Sequence, residues 1–93
     1  MQKETVYTLT DGVQVRKEKF GLLFYNYSGP RLYFVPSKDL LDPKFFEGQL
    51  KIDELIKNIH ATHPWPLNWV EKWVGQVLTT LEDKGLINGQ SIC

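Results

Sequence analysis

Residues 21–35 carry two aromatic-rich β runs joined by a tight turn, and that hairpin restricts the chain to folds containing an antiparallel sheet. Gly21-Leu22-Leu23-Phe24-Tyr25-Asn26-Tyr27 is dense in residues that favour strands. Ser28-Gly29-Pro30 is a turn, and Arg31-Leu32-Tyr33-Phe34-Val35 is a second strand stopped by Pro36. Ahead of the hairpin, Val13-Gln14-Val15-Arg16 alternates apolar and polar, the period-2 pattern of a half-buried strand, before the charged run Lys17-Glu18-Lys19. The first third therefore reads as a three-stranded antiparallel meander. Residues 1 to about 12 are polar, end at the turn pair Asp11-Gly12, and are assigned no element.

Three helices are expected after the meander. Ser37 is placed to cap a short one through Leu41, extending past Pro43 to Glu47 and closing at Gly48. Ile52 opens the second, with Asp53 and Glu54 in its first turn and apolar residues at 52, 55, 56 and 59. His60 to Pro66 reads as a loop, and the third helix runs from about Leu67 to Lys84, closing at Gly85. No repeat or second domain interrupts this order, so residues 1–93 read as one domain of class α+β.

The third helix has two apolar stripes where a helix at the edge of a small domain needs one. At about 100° per residue, Leu67, Val70, Val74, Val77, Leu78 and Leu81 share the core face. Trp69, Trp73, Gln76 and Thr80 form a second stripe centred about 100° away. The tryptophans either cover the sheet and the Trp65 loop, or line a groove beside the sheet where large rings anchor a partner. The chain carries twelve aromatic rings, a surplus for a 93-residue core that favours a binding surface. The last strand of the meander leaves one edge unpaired, and a helix crossing near it would complete a slot for an extended peptide.

Lys and Arg balance Asp and Glu at eleven each, so the basic excess that phosphate binding requires is absent. So little net charge also leaves association with a second copy open. The lone Cys93 fits a reducing cytosol, and no secretory signal or membrane-length apolar run is present, so a cytoplasmic protein away from membranes is expected. His60 and His63 lack the companions a metal set needs. Cys93 has no positioned base, Asp53-Glu54 and Glu82-Asp83 suit helix ends, and the glycines form no phosphate loop. Neither an enzyme nor a cofactor is expected.

The order of elements, with FGLLFYNYSGPRLYFVPSKDLL, IDELI and a long helix closing on LEDKGLI, resembles the PqqD-like family. These are winged-helix-like domains known as RiPP recognition elements. The hairpin in particular is similar to that of the mycofactocin-system precursor-peptide chaperones, and the resemblance covers about residues 8–88. It implies a winged-helix-like domain, a three-stranded antiparallel sheet followed by three helices. It further implies a chaperone that binds the leader of a ribosomally made precursor peptide as an added strand and delivers it to a radical SAM maturase. On this sequence the leader would lie along Arg31, Leu32, Tyr33, Phe34 and Val35, facing Trp69, Trp73, Gln76, Val77 and Thr80. Two other readings stand beside it. A winged-helix DNA binder is disfavoured because the third helix sets Lys72 and Lys84 against Glu71, Glu82 and Asp83. An adaptor or dimerisation module would instead cover its tryptophan stripe with a folded partner.

Overall fold

The computed structural model describes residues 4–27 and 31–91, leaving the expected Ser28-Gly29-Pro30 turn and Cys93 outside the described residues. Six strands form two three-stranded antiparallel sheets, accompanied by two helices. The elements are β1 (Thr5–Leu9), β2 (Val13–Glu18), β3 (Gly21–Asn26), β4 (Arg31–Val35), β5 (Glu47–Lys51), α1 (Ile52–Thr62), α2 (Leu67–Asp83) and β6 (Ile87–Ser91). The meander is present as the sheet β2-β3-β4, in continuous register from Val13↔Asn26 through Leu22↔Val35. The second sheet, β5-β1-β6, was not foreseen.

The expected arrangement of one sheet followed by three helices is therefore corrected, although the α+β class stands. The first helix fails at Pro43. A proline pushes the preceding residue into extended conformation, and Asp42 sits at φ −122°, ψ 142°. Only Pro43–Phe46 winds, as one 3-10 turn whose first free N–H, that of Lys44, is accepted by Asp42 Oδ1 at 2.9 Å. Ser37 does not cap a helix. It is fully buried, its N–H donates to the Val35 carbonyl at 2.8 Å, and its hydroxyl has no partner. Beyond the 3-10 turn, Gly48 at φ 82° lies in β5 beside β1, where the register slips between Val6↔Lys51 and Thr8↔Glu47. Strands β1 and β6 are short; β1 is the central strand between β5 and β6, and its pairing with β6 spans almost the whole chain, from Thr5↔Ser91 to Leu9↔Ile87. Helix α1 also runs to Thr62, three residues into the expected loop.

One apolar cluster joins everything. Leu22, Phe24 and Val35 supply the inner face of β2-β3-β4; Ile52, Leu55, Ile56 and Ile59 come from α1, and Val70, Val74, Leu78 and Leu81 from α2. The expected core stripe of α2 holds except at its ends. Leu67 is 44% exposed, and Val77 is half-buried at the margin. A run of rings bridges the sheets: Phe24 meets Phe46 edge-on at 5.2 Å, Phe46 meets Phe45 at 5.2 Å, and Phe45 reaches Tyr7 of β1 at 6.0 Å. The Tyr7 hydroxyl then donates to Glu82 Oε1 at 3.1 Å, tying β1 to the end of α2.

Burial and the neighbouring Glu82 carboxylate hold the Tyr7 phenol neutral, pushing its pKa up to about 12. In the unfolded chain the phenol ionises near 10. The contribution of its neutral form is thus complete below pH 10 and lost as pH rises toward 12, because deprotonation then favours the unfolded state. Denaturant titrations from pH 9 to 12 should show the wild type losing about 2 kcal/mol more than Tyr7→Phe. Parallel pH profiles for the two proteins would contradict this.

Candidate functional site: a groove between the β4 edge and α2

β4 is the outer strand of its sheet, and among the described residues no strand pairs with its far side. Which of its backbone groups face outward follows from the alternation of antiparallel pairs. The Tyr27 N–H donates to the Gly12 carbonyl, so 12 and 27 form a hydrogen-bonded pair. Counting back along the unbroken register, Tyr25 and Leu23 turn their groups to β2, whereas Asn26, Phe24 and Leu22 turn theirs to β4. Arg31, Tyr33 and Val35 are consequently paired with β3. The N–H and C=O groups of Leu32 and Phe34 point away from the sheet.

Side chains divide the other way. Val35 is buried and Tyr33 half-buried on the face toward α2, whereas Leu32 (72% exposed) and Phe34 (41%) lie on the opposite, open face of the sheet. Tyr33, Val35 and Pro36 form one wall of a groove of about 190 Å³ whose other wall is Trp73, Gln76, Val77 and Thr80 of α2. The side-chain amide of Gln76 makes no hydrogen bond among the described residues and can donate and accept. Thr80 spends its hydroxyl on the Gln76 carbonyl one turn back, at 2.9 Å. At the far end of α2, Lys84 Nζ stands 4.6 Å from the centre of the Tyr33 ring, a cation–π contact closing the groove.

Six of the ten residues singled out from the sequence thus line one groove: Tyr33, Val35, Trp73, Gln76, Val77 and Thr80. Leu32 and Phe34 border it through backbone only, and the side chain of Arg31 lies outside the described residues. The two tryptophans separate. Trp73 is packed partly against the core and lines the groove. Trp69 is 45% exposed, packs on Trp65 at 4.9 Å, and lines an adjoining depression of about 330 Å³ with Lys72, Trp73 and Gln76. Pro36 and Lys84 are groove residues that the sequence pattern did not single out. Pro36 was legible only as the stop of β4, and the reach of Lys84 to Tyr33 depends on how the helix crosses the strand.

Nothing in this geometry resembles a reaction centre. No group of three His, Cys, Asp or Glu residues among those described is placed to hold a metal ion. No helix among the described residues is long and apolar enough to cross a membrane. The groove has an open backbone rim and apolar pockets, a form suited to an extended peptide. Residues 6–88 match the family described as peptide chaperone MftB. The chain belongs to that family. No curated protein and no solved structure matches the chain. It is a peptide chaperone of the mycofactocin type, working for a radical SAM maturase.

Amide exchange of the free chaperone checks the alternation directly. The Tyr33 and Val35 amides, bonded to β3, should exchange at least about tenfold more slowly than those of Leu32 and Phe34, which face solvent. The reverse order would place the outward groups on the other residues.

Proposed function

We propose that this chaperone captures the leader of its precursor peptide as a fourth strand on β4 and carries it, chemically unaltered, to the maturase. One observation carries the reading: the unpaired rim of β4 lies beside the groove of Tyr33, Val35, Pro36, Trp73, Gln76, Val77 and Thr80. The outward N–H and C=O groups of Leu32 and Phe34 offer four backbone hydrogen bonds, worth about 1 kcal/mol each. One or two apolar side chains of the guest, set into the groove beside Trp73 and Val77, add about 2 kcal/mol apiece. The total, about 6–8 kcal/mol before ordering costs, corresponds to micromolar capture at best, weak enough for release to an enzyme. Antiparallel addition makes the better ladder, and alternate guest side chains then enter the groove while the others continue the open face of Leu32 and Phe34.

On this reading Arg31, Leu32, Tyr33, Phe34 and Val35 supply the strand and Trp69, Trp73, Gln76, Val77 and Thr80 the facing wall. The chain acts as a single PqqD-like peptide-binding domain in the cytoplasm, with no catalytic residue, cofactor, metal or nucleic acid. A balanced charge and an α2 bearing only one lysine, Lys72, support this over DNA binding.

Proline scanning separates capture from folding. Phe34→Pro removes an outward N–H and should abolish leader binding with little loss of stability. Tyr33→Pro removes an N–H spent on β3 and should instead destabilise the fold by about 2–3 kcal/mol. Calorimetric titration with synthetic leader peptide, alongside urea melts, reads both, and undiminished capture by Phe34→Pro would move the site elsewhere. Trp73→Ala should weaken capture by about 2–4 kcal/mol, as an interface anchor does. Wild-type affinity in a folded Trp73→Ala protein would remove that ring from the site.

A further inference from the structure

A second cleft lies beyond the start of α2, and a file of packed rings leads toward it. The cleft has a volume of about 290 Å³, a floor of Leu40, Phe45, Leu50, Leu55 and Ile59, and a rim that includes Asn58, Thr62 and His63. His63 is stacked on Trp65 with ring centres 4.7 Å apart, Trp65 packs on Trp69 at 4.9 Å, and Trp69 shares its depression with Trp73 of the groove. Rings from His63 through Trp65 to Trp69 lead from the cleft toward the groove, through the HATHPW segment for which strand addition by itself has no use. We infer that the cleft is a second anchor point for the same peptide, receiving one large apolar side chain from the flank of the paired segment; this rests on capture at the β4 rim.

The rim of the cleft identifies the kind of side chain. Its charges offset one another: Lys17 and Lys44 stand with Asp39 and Asp42, and Lys17 Nζ lies 3.9 Å from Asp42. A charged side chain gains little there, whereas an aliphatic or aromatic one covers the half-buried Leu40 and Leu50 above the buried Phe45, Leu55 and Ile59. The direction of the peptide follows from the crossing of α2 and β4. Lys84, beyond the end of α2, lies over Tyr33, and His63, just before its start, lies against Asp39, past the end of β4. Strand and helix therefore run in opposite senses. A peptide added antiparallel to β4 runs with α2, so its N-terminal flank leaves the groove at Trp69, on the side of the cleft.

The spacing is set by the same geometry. The stretch of α2 from Trp69 to Thr80 is about 16 Å long, enough for about five extended residues. The two ring steps from Trp69 to His63 add about 10 Å, or about three residues more. The anchor thus belongs about three to four residues upstream of the paired segment. Joining two modest contacts through one short linker raises affinity without any change in the groove itself.

The experiment compares two synthetic peptides: the cognate leader and the same leader cut immediately upstream of its paired segment. Wild-type chaperone should bind the long form about tenfold or more tightly than the short one. Thr62→Trp and Asn58→Trp, at exposed positions on the rim, fill the cleft; each should reduce the long peptide to the affinity of the short one and leave the short one unchanged. Amides of Leu55 and Ile59 should shift in spectra of the labelled protein only with the long form. If both plugged proteins, shown folded by thermal melts, bind the long leader as the wild type does while Trp73→Ala fails to, the second anchor is refuted and the groove stands. If Trp73→Ala and Phe34→Pro also bind normally, capture at β4 falls and the anchor falls with it.

Discussion

The run of packed rings from Phe24 through Phe46 and Phe45 to Tyr7, edge-to-face in its first two steps and tilted in the last, is the contact on which the remaining architecture rests. Each ring pair is worth about 0.5–1.5 kcal/mol beyond the area it buries. More important is what the run connects. Phe24 belongs to the sheet that carries β4, Tyr7 to the sheet that carries β6, and the Tyr7 hydroxyl reaches Glu82 near the end of α2. The walls of the groove come from β4 and from α2. Their separation is therefore fixed by packing in the centre of the molecule, not by direct contact between the walls.

On the proposed reading, edges more than side-chain chemistry carry the function. Two sheets of three strands have four edges, and an unprotected edge invites aggregation. β2 is guarded by Arg16, Lys17 and Glu18, with Arg16 and Glu18 joined as an ion pair. β5 is interrupted by its irregular register and Gly48. β6 is polar at Asn88 and Gln90. β4 has no such guard over Leu32 to Val35; its only limit is Pro36, which ends the strand and so sets how long an added strand can be. A chaperone that must hold and then release its peptide benefits from backbone pairing, whose bonds are individually weak and indifferent to most guest side chains.

This explains why the site was legible in part. The second stripe on α2 and the unpaired last strand of the meander pointed to a slot from periodicity alone, because both are local properties of a helix and a strand. Trp73, Gln76 and Thr80 could be named in this way. The orientation of individual N–H groups could not, since it depends on which residue of β3 bonds to β2, a parity set by the Gly12–Tyr27 pair. Nor could the fate of the tryptophans be read. Trp69 turns toward Trp65 and Trp73 toward the groove because the loop at 63–66 folds back over the start of α2.

By itself the sequence determined the hairpin and most of the inner face of α2, because each depends on residues within a few positions of one another, and it shows the balanced overall charge directly. It also contained the veto on a first helix, in Pro43, although the capping serine and the apolar residues around it suggested otherwise. Only the tertiary structure decided that residues 5–9 and 87–91 are strands. Their pairing links positions about eighty residues apart, and each segment is too short to announce its partner from local pattern alone. The structure likewise decided that four backbone groups on β4 have no partner among the described residues, since a hydrogen bond left unmade is a property of what surrounds a strand and leaves no mark on its residues.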